Sequence, residues 1–211
     1  MLRQSNRSPF TAEKISDDVL SQCVEAAAAY AVEFSYRSDE KTKSEIAKLT
    51  MSADKTQFSK AWFRVELAAW MHSNKRDGKD GMSAYRFGLP DVFTPIAGFM
   101  IRTFNIGKRV AQNNKKRIEE GSSVLGVFAT QSDQQNDWIN TGRALAQVLL
   151  VFTSVEFSAS YLNQSIETDS LRRLLRKEFN ALAYPQIMLR IGRANIAAFS
   201  VRRSVDDCLI D

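Results

Sequence analysis

Histidine is almost missing from this sequence, with His72 the only one. Any catalytic or metal-binding arrangement that needs two imidazoles is therefore excluded. His72 follows a tryptophan-ended helical stretch, where a cation at the negative end of the helix dipole is the commoner role. Cysteine is nearly as scarce. Cys23 and Cys208 stand far apart, with no further Cys or His at metal-ligand spacing, which argues against a disulfide framework and a zinc site. No apolar run approaches the roughly 20 residues that a membrane span requires. The opening MLRQSNRSPFTAEK carries positive charge with no apolar run behind it, so it does not read as a secretory signal. A cytoplasmic protein without a membrane partner is expected, and no internal repeat or low-complexity segment is evident.

The composition is that of an ordinary globular protein: 211 residues, 44% hydrophobic and 25% charged, with a formal charge of +5. One domain is expected, with residues 1–55 as an N-terminal helical segment continuous with residues 56–211. The positive excess is small and spread out. It fits the phosphate of a small cofactor as well as a polymer, which makes nucleic acid an unlikely partner.

The longest strongly apolar stretch lies within residues 137–164, DWINTGRALAQVLLVFTSVEFSASYLNQ. Between Ala144 and Phe152 only Gln147 is polar, so a helix buried on every side is expected there, running into a buried loop. Asp137 suits its N-terminus, and Gly142 and Ala144 allow another backbone to come close. Upstream, DDVLSQCVEAAAAYAVEFSYR repeats Val19, Cys23, Ala26, Tyr30 and Phe34 at helical spacing, which predicts one amphipathic helix. Residues 45–74 predict one or two helices, with Phe58, Trp62, Phe63 and Trp70 as a core or subunit-interface stripe in preference to a flavin-stacking surface.

Residues 75–95 contain Gly78, Gly81, Gly88, Pro90 and Pro95 and hold no period, which predicts a long loop, either a pocket cover or a passive connection. A helical pair follows over residues 96–120, with a basic face of Lys108, Arg109, Lys115, Lys116 and Arg117 that reads first as a solvated face. SSVLGVFATQS is the best strand. After the central helix, SIETDSLRRLLRKEFN predicts a surface helix stopped by Pro185, and PQIMLRIGRA a second strand centred on Met188 and Leu189. Strand, buried helix, surface helix and strand in this order describe an α+β layer.

Several of these stretches, in order, resemble the FMN-dependent nitroreductases: WINTGRALAQVLLVFTSVEFSASYLNQSIE, LRRLLRKEF, YPQIMLRIGRA and VRRSV, preceded by FRVELAAWM and RDGKDG. Within that family the similarity is to the C-terminal half of the double-length, Acg-like branch. The resemblance implies a mixed, mainly antiparallel sheet flanked by helices, here helix-rich and truncated, and a homodimer with FMN at its interface. It implies electron transfer from NAD(P)H to nitroaromatics, quinones or related small-molecule acceptors. It places Tyr161, Leu162, Asn163 and Gln164 against the flavin, and Arg202, with Arg203 beside it, on the phosphate. A guanidinium fork suits that role. Arg143, at the start of the central helix, is a weaker flavin candidate, with a structural carboxylate or backbone partner the favoured alternative.

Two departures stand out. The family's N-terminal arginine–serine motif is not continued after Arg3, Ser5, Arg7 and Ser8, and Glu156 and Phe157 stand where the family has a glycine. The resemblance then implies that a partner or a preceding segment completes the pocket. The alternatives to an oxidoreductase are a flavin-sequestering or structural protein of the same family and, behind it, a basic helical nucleic-acid-binding module.

Overall fold

The computed structural model describes residues 4–11, 13–72, 81–83, 93–195 and 206–209. In chain order the helices and strands are α1 Asp17–Ala28, β1 Glu33–Arg37, α2 Glu40–Ser59, α3 Ala61–Trp70, β2 Met71–His72, β3 Met82–Ser83 and α4 Thr94–Thr103. They continue with α5 Gly107–Glu119, β4 Val124–Thr130, α6 Gln135–Ser154, β5 Ser158–Tyr161, α7 Asp169–Phe179 and β6 Tyr184–Gly192. The chain divides into two compact units, residues 1–55 with 109–197, and residues 56–108 with 198–211. The chain leaves the first unit after residue 55 and returns to it at residue 109.

The first unit is built on a four-stranded sheet in the order β1-β4-β6-β5, every neighbouring pair antiparallel. A short bridge from Ser5 to Ala159 adds one parallel contact at the β5 edge, making the sheet mixed but mainly antiparallel. All seven residues of β4 are buried, because helices cover both faces. On one face Phe34, Val124, Phe128, Leu189 and Ile191 pack with Leu20 and Cys23 of α1 and Val148, Leu149 and Phe152 of α6. On the other, Leu125, Val127 and Met188 pack with Ile46 of α2, Ile118 of α5, and Leu175 and Phe179 of α7. Alternation along β4 and β6 sends successive side chains to the two layers, as the strand period requires.

Two close approaches fix this packing. A Cβ on Gly126 would lie 2.5 Å from the Phe34 ring, and one on Gly192 would lie 2.5 Å from Phe10. Phe10 also lies under Arg190, whose guanidinium carbon is 4.1 Å from the ring centroid. Arg190 is 1% exposed and donates to Gly121 O at 3.1 Å and Ser8 O at 2.8 Å. Lys43 Nζ donates to Ser122 O at 2.6 Å. Both cations thus meet carbonyls just beyond the C-terminus of α5, where the helix dipole favours positive charge, and Arg190 ties the N-terminal segment to β6.

Four expectations are corrected. The first helix ends at Ala28, and Glu33–Arg37 is a strand: Ala31 adopts a left-handed φ of 57° that turns the chain into the sheet. The segment after α6 is not only a loop, since Ser158–Tyr161 pairs with β6. The α7 helix ends at a left-handed Asn180 with φ 49°; Pro185 lies inside β6, opposite Ala129, where the register shifts and a missing N–H is tolerated. The α6 helix is not buried on all sides: Ile139 is 61% exposed, and Gly142, Arg143, Ala146 and Gln147 are exposed along the same side.

The second unit holds the end of α2, then α3, the short parallel pair β2 and β3, α4, and a 3-10 turn at Asp206–Cys208. No residue of α3 is buried. Phe58 and Phe63 meet edge-on at 5.3 Å, and Lys60 Nζ lies 5.6 Å from the Trp62 ring centroid. Trp62, Trp70, Ile96, Phe99 and Phe104 are each at least half exposed. Of the aromatic stripe, Phe58 is buried and Phe63 half-buried, while Trp62 and Trp70 face outward. Of the expected loop over residues 75–95, only the stretches 81–83 and 93–95 are described, as β3 and the entry to α4 with Pro95 in its first turn; the rest lies outside the described residues, as does the His72 side chain.

Candidate functional site

The turn that leaves β5 gathers most of the residues singled out from the sequence. Tyr161 closes β5 opposite Leu189 and is 39% exposed. The Leu162 side chain is in the core and its N–H donates to Met188 O at 2.9 Å. Asn163 Oδ1 accepts the Met188 N–H at 3.0 Å. Residues Asn163–Ser165 then form a 3-10 turn. Leu162 and Asn163 thus pin the turn to β6, with the Tyr161 ring partly exposed beside it.

Beneath the turn lies a polar group that the sequence reading missed. Asp54, on α2, is 1% exposed. Its Oδ2 accepts from Asn114 Nδ2 of α5 at 2.8 Å, and the Gln164 amide also favours its charged form. Burial pushes the Asp54 carboxyl up to about 6, against the opposing pull of the two amides. Gln164 Oε1, Ser165 Oγ and Thr50 Oγ1 are buried with no hydrogen-bond partner among the described residues. A signal existed: Ile46, Thr50, Asp54 and Phe58 recur every four residues, so two polar side chains sit in a stripe that must be buried.

The other candidates are not gathered there. Arg143 is exposed, with its guanidinium 5.6 Å from the Tyr30 ring centroid. Arg202 and Arg203 lie outside the described residues. A cleft of about 450 Å³ opens beside the N-terminal segment, between Gln4, Asn6, Thr153, Glu156, Phe157 and Arg193. None of the expected flavin-contacting residues lines it. Its Arg193 is neutralised by Glu13 at 2.8 Å and Glu156 at 2.6 Å. Glu156 itself takes a left-handed φ of 62°, the conformation a glycine would adopt without strain.

The basic face of α5 is partly neutralised. Lys115 pairs with Glu119, and Lys116 with Glu120 at 3.8 Å, an arrangement typical of a solvated helix. Among the described residues no cluster of metal-ligating side chains occurs, and no helix is long and apolar enough to cross a membrane. Burial pushes the Cys23 thiol up to about 12, which leaves it unreactive.

No protein-family model matches the sequence. Two uncharacterized proteins of Mycobacterium tuberculosis, from strains CDC 1551 / Oshkosh and ATCC 25618 / H37Rv, are each 28% identical over 105 residues. The match takes in 48% of this chain and only 30% of the length of each relative. Solved structures align over nearly all of it. A nitroreductase with bound FMN from Bacteroides fragilis superposes with a TM-score of 0.54 at 14% identity, covering 99% of this chain and 93% of that one. One from Desulfitobacterium hafniense, also with bound FMN, gives 0.54 at 13%, covering 99% and 93%. An NADPH:FMN oxidoreductase from Vibrio harveyi complexed with NAD+ gives 0.58 at 11%, covering 100% and 74%. The α+β fold of this chain is the nitroreductase fold.

Proposed function

We propose that this chain is a flavin-binding oxidoreductase of the nitroreductase family, related to its double-length branch, which uses FMN to pass electrons from NAD(P)H to a small-molecule acceptor. The observation that carries this reading is the full-length likeness to FMN-bound nitroreductases, together with the run of matching stretches in the same order along the sequence. What supports a flavin at the turn after β5 is the resemblance together with the partly exposed Tyr161 ring. FMN, when bound, supplies the redox chemistry, and the protein supplies position and polarity. Tyr161 and the backbone of residues 162–164 would lie against the ring, and Arg202 with Arg203 would hold the phosphate. A reaction carried by the flavin needs few acid–base side chains, which agrees with the single histidine.

The reading includes a homodimer. The outer side of α6 presents Ile139, Gly142 and Ala146 to solvent. Ile139 stands beside Trp138, itself 53% exposed, an apolar pair that a second protomer would cover.

The test is the visible absorption spectrum of the purified protein, before and after incubation with FMN and desalting. A retained flavin band followed by NAD(P)H oxidation supports the reading. A colourless protein that leaves FMN fluorescence unchanged overturns it, and retained flavin without NAD(P)H oxidation points to the flavin-sequestering alternative.

A further inference from the structure

We propose that Asn163 is a positioning residue for the turn after β5, and that it acts through its side-chain carbonyl on Met188 of β6. The antiparallel ladder of β5 and β6 runs from Ser158 opposite Gly192 to Tyr161 opposite Leu189. Its next step would pair Leu162 with Met188, and two residues opposed in this way exchange both backbone hydrogen bonds. Only one of the two is made. Leu162 N–H donates to Met188 O at 2.9 Å, whereas Met188 N–H donates to Asn163 Oδ1 at 3.0 Å.

The Asn163 side chain thus stands in for the Leu162 carbonyl, which a ψ of 48° turns out of the strand. The chain is released one step early into the 3-10 turn Asn163–Ser165. There the backbone carbonyl of Asn163 accepts the Ile166 and Glu167 N–H groups at 2.8 and 3.0 Å. One residue therefore ends the strand with its side chain and closes the turn with its main chain. Met188 is fully buried, and a buried N–H without an acceptor is costly. Without the Asn163 amide, the nearby acceptor is the Leu162 carbonyl, and reaching it means extending β5 and unwinding the turn. Tyr161, 39% exposed, forms the last ladder pair just before this point. The same side chain therefore fixes the turn's backbone relative to the Tyr161 ring, as a ligand lying against both requires. This inference deepens the flavin reading and rests on it for the identity of the ligand.

The experiment compares the wild-type chain with Asn163→Ala, Asn163→Asp and, as a control for general loss of stability, Gly126→Ala. Amide hydrogen exchange is followed at Ile166, Glu167 and in β4 without flavin, and FMN affinity is measured by fluorescence titration. In Asn163→Ala, exchange at Ile166 and Glu167 should quicken roughly tenfold with β4 unchanged, and FMN affinity should fall roughly tenfold. Asn163→Asp keeps an acceptor for the Met188 N–H and loses only the NH2 group, so it should recover the protection of Ile166 and Glu167. Gly126→Ala should bind FMN as the wild type does. Unchanged exchange at Ile166 and Glu167 in Asn163→Ala, or quickening that extends equally through β4, overturns the inference whether or not FMN binds. An Asn163→Asp chain that exchanges as fast as Asn163→Ala also overturns it, because the side chain would then act through its NH2 group. So does loosening of the turn with FMN affinity unaltered, or an equal loss of affinity in Gly126→Ala. If the wild type binds no FMN, the flavin reading fails by itself, and the exchange pattern alone decides whether Asn163 positions the turn.

Discussion

Arg172 of α7 reaches across to Asp133, at the entry to α6, and donates from Nη1 to Oδ2 at 2.7 Å. The same guanidinium binds Pro185 O at 2.6 Å and Gln186 Oε1 at 3.1 Å, while Trp138 Nε1 and Gln186 Nε2 complete the carboxylate's partners at 2.7 and 3.0 Å. One ion pair therefore fastens α6, α7 and β6 together. The hydrogen bonds from Arg172, then Trp138 and Gln186, hold the Asp133 carboxyl well below the usual carboxylate range. A carboxyl lowered in this way stabilises the fold at pH values above its unfolded value near 3.8, and that contribution is lost as pH falls further. Asp133→Asn should cost about 1–2 kcal/mol at pH 7 and progressively less below pH 4. Urea denaturation of both proteins across that range measures it, and a cost independent of pH would show that the charge contributes nothing.

Asp54 has the opposite sign. Its carboxyl is raised from 3.8 to about 6 by burial, so the folded chain holds a proton that the unfolded chain has released. Stability attributable to Asp54 then falls as pH rises from about 4 to 6 and stays lower above that. Relative to wild type, Asp54→Asn should become more favourable by up to about 3 kcal/mol between pH 4 and pH 7. Parallel stability–pH curves for the two proteins would contradict this.

Gly126 faces the Phe34 ring with no room for a methyl group. Phe34 is 2% exposed and meets Phe128 at 4.9 Å and Phe152 at 6.3 Å, so the ring has nowhere to retreat. Gly126→Ala should cost about 1–3 kcal/mol through overpacking, read as a lower denaturation midpoint. The double variant with Phe34→Leu should recover part of it.

How much of this was legible in the sequence depended on whether a residue announced its conformation. The fully buried β4 was readable because a strand covered on both faces is a continuous apolar run. The end of α7 was marked by Asn180, a residue type that tolerates the left-handed region, although the stop was attributed to Pro185. Ala31 and Glu156 also take left-handed φ angles of 57° and 62°, and neither residue type signals it. The first hid β1, whose Phe34 also satisfies helical spacing, and the second hid β5. The exposed side of α6 was misread because Ala146 and Ile139 are apolar in composition yet face outward. In the candidate site, the turn after β5 was legible only through resemblance, whereas Asp54 and Thr50 are polar breaks in a buried stripe of α2.

The phosphate assignment needs a sound control. Arg172 cannot serve, because its removal would loosen α6, α7 and β6 together. Arg173, its exposed neighbour on α7, is the appropriate choice. Arg202→Ala should weaken FMN binding by roughly tenfold or more, the loss of a charge-assisted contact, while Arg173→Ala leaves it unchanged. Equal effects in a fluorescence titration would show that the phosphate is held elsewhere.

The outer side of α6 offers the last test, because one position there separates helix stability from association. Among the described residues nothing lies within 4 Å of a Cβ built on Gly142, and the residue sits in the interior of a 20-residue helix. In an isolated protomer Gly142→Ala should therefore stabilise by about 0.5–1 kcal/mol, since alanine loses less backbone entropy in a helix than glycine. If the same side is where two copies meet, a small residue is needed for close approach, and Gly142→Trp should dissociate the pair. Light scattering of the wild type should give a dimer mass, with Gly142→Trp shifted toward the 23.8 kDa monomer while retaining its far-UV spectrum. A dimer that survives Gly142→Trp would move the interface away from α6, and the exposed Trp62 and Phe99 of the second unit would be the next positions to alter.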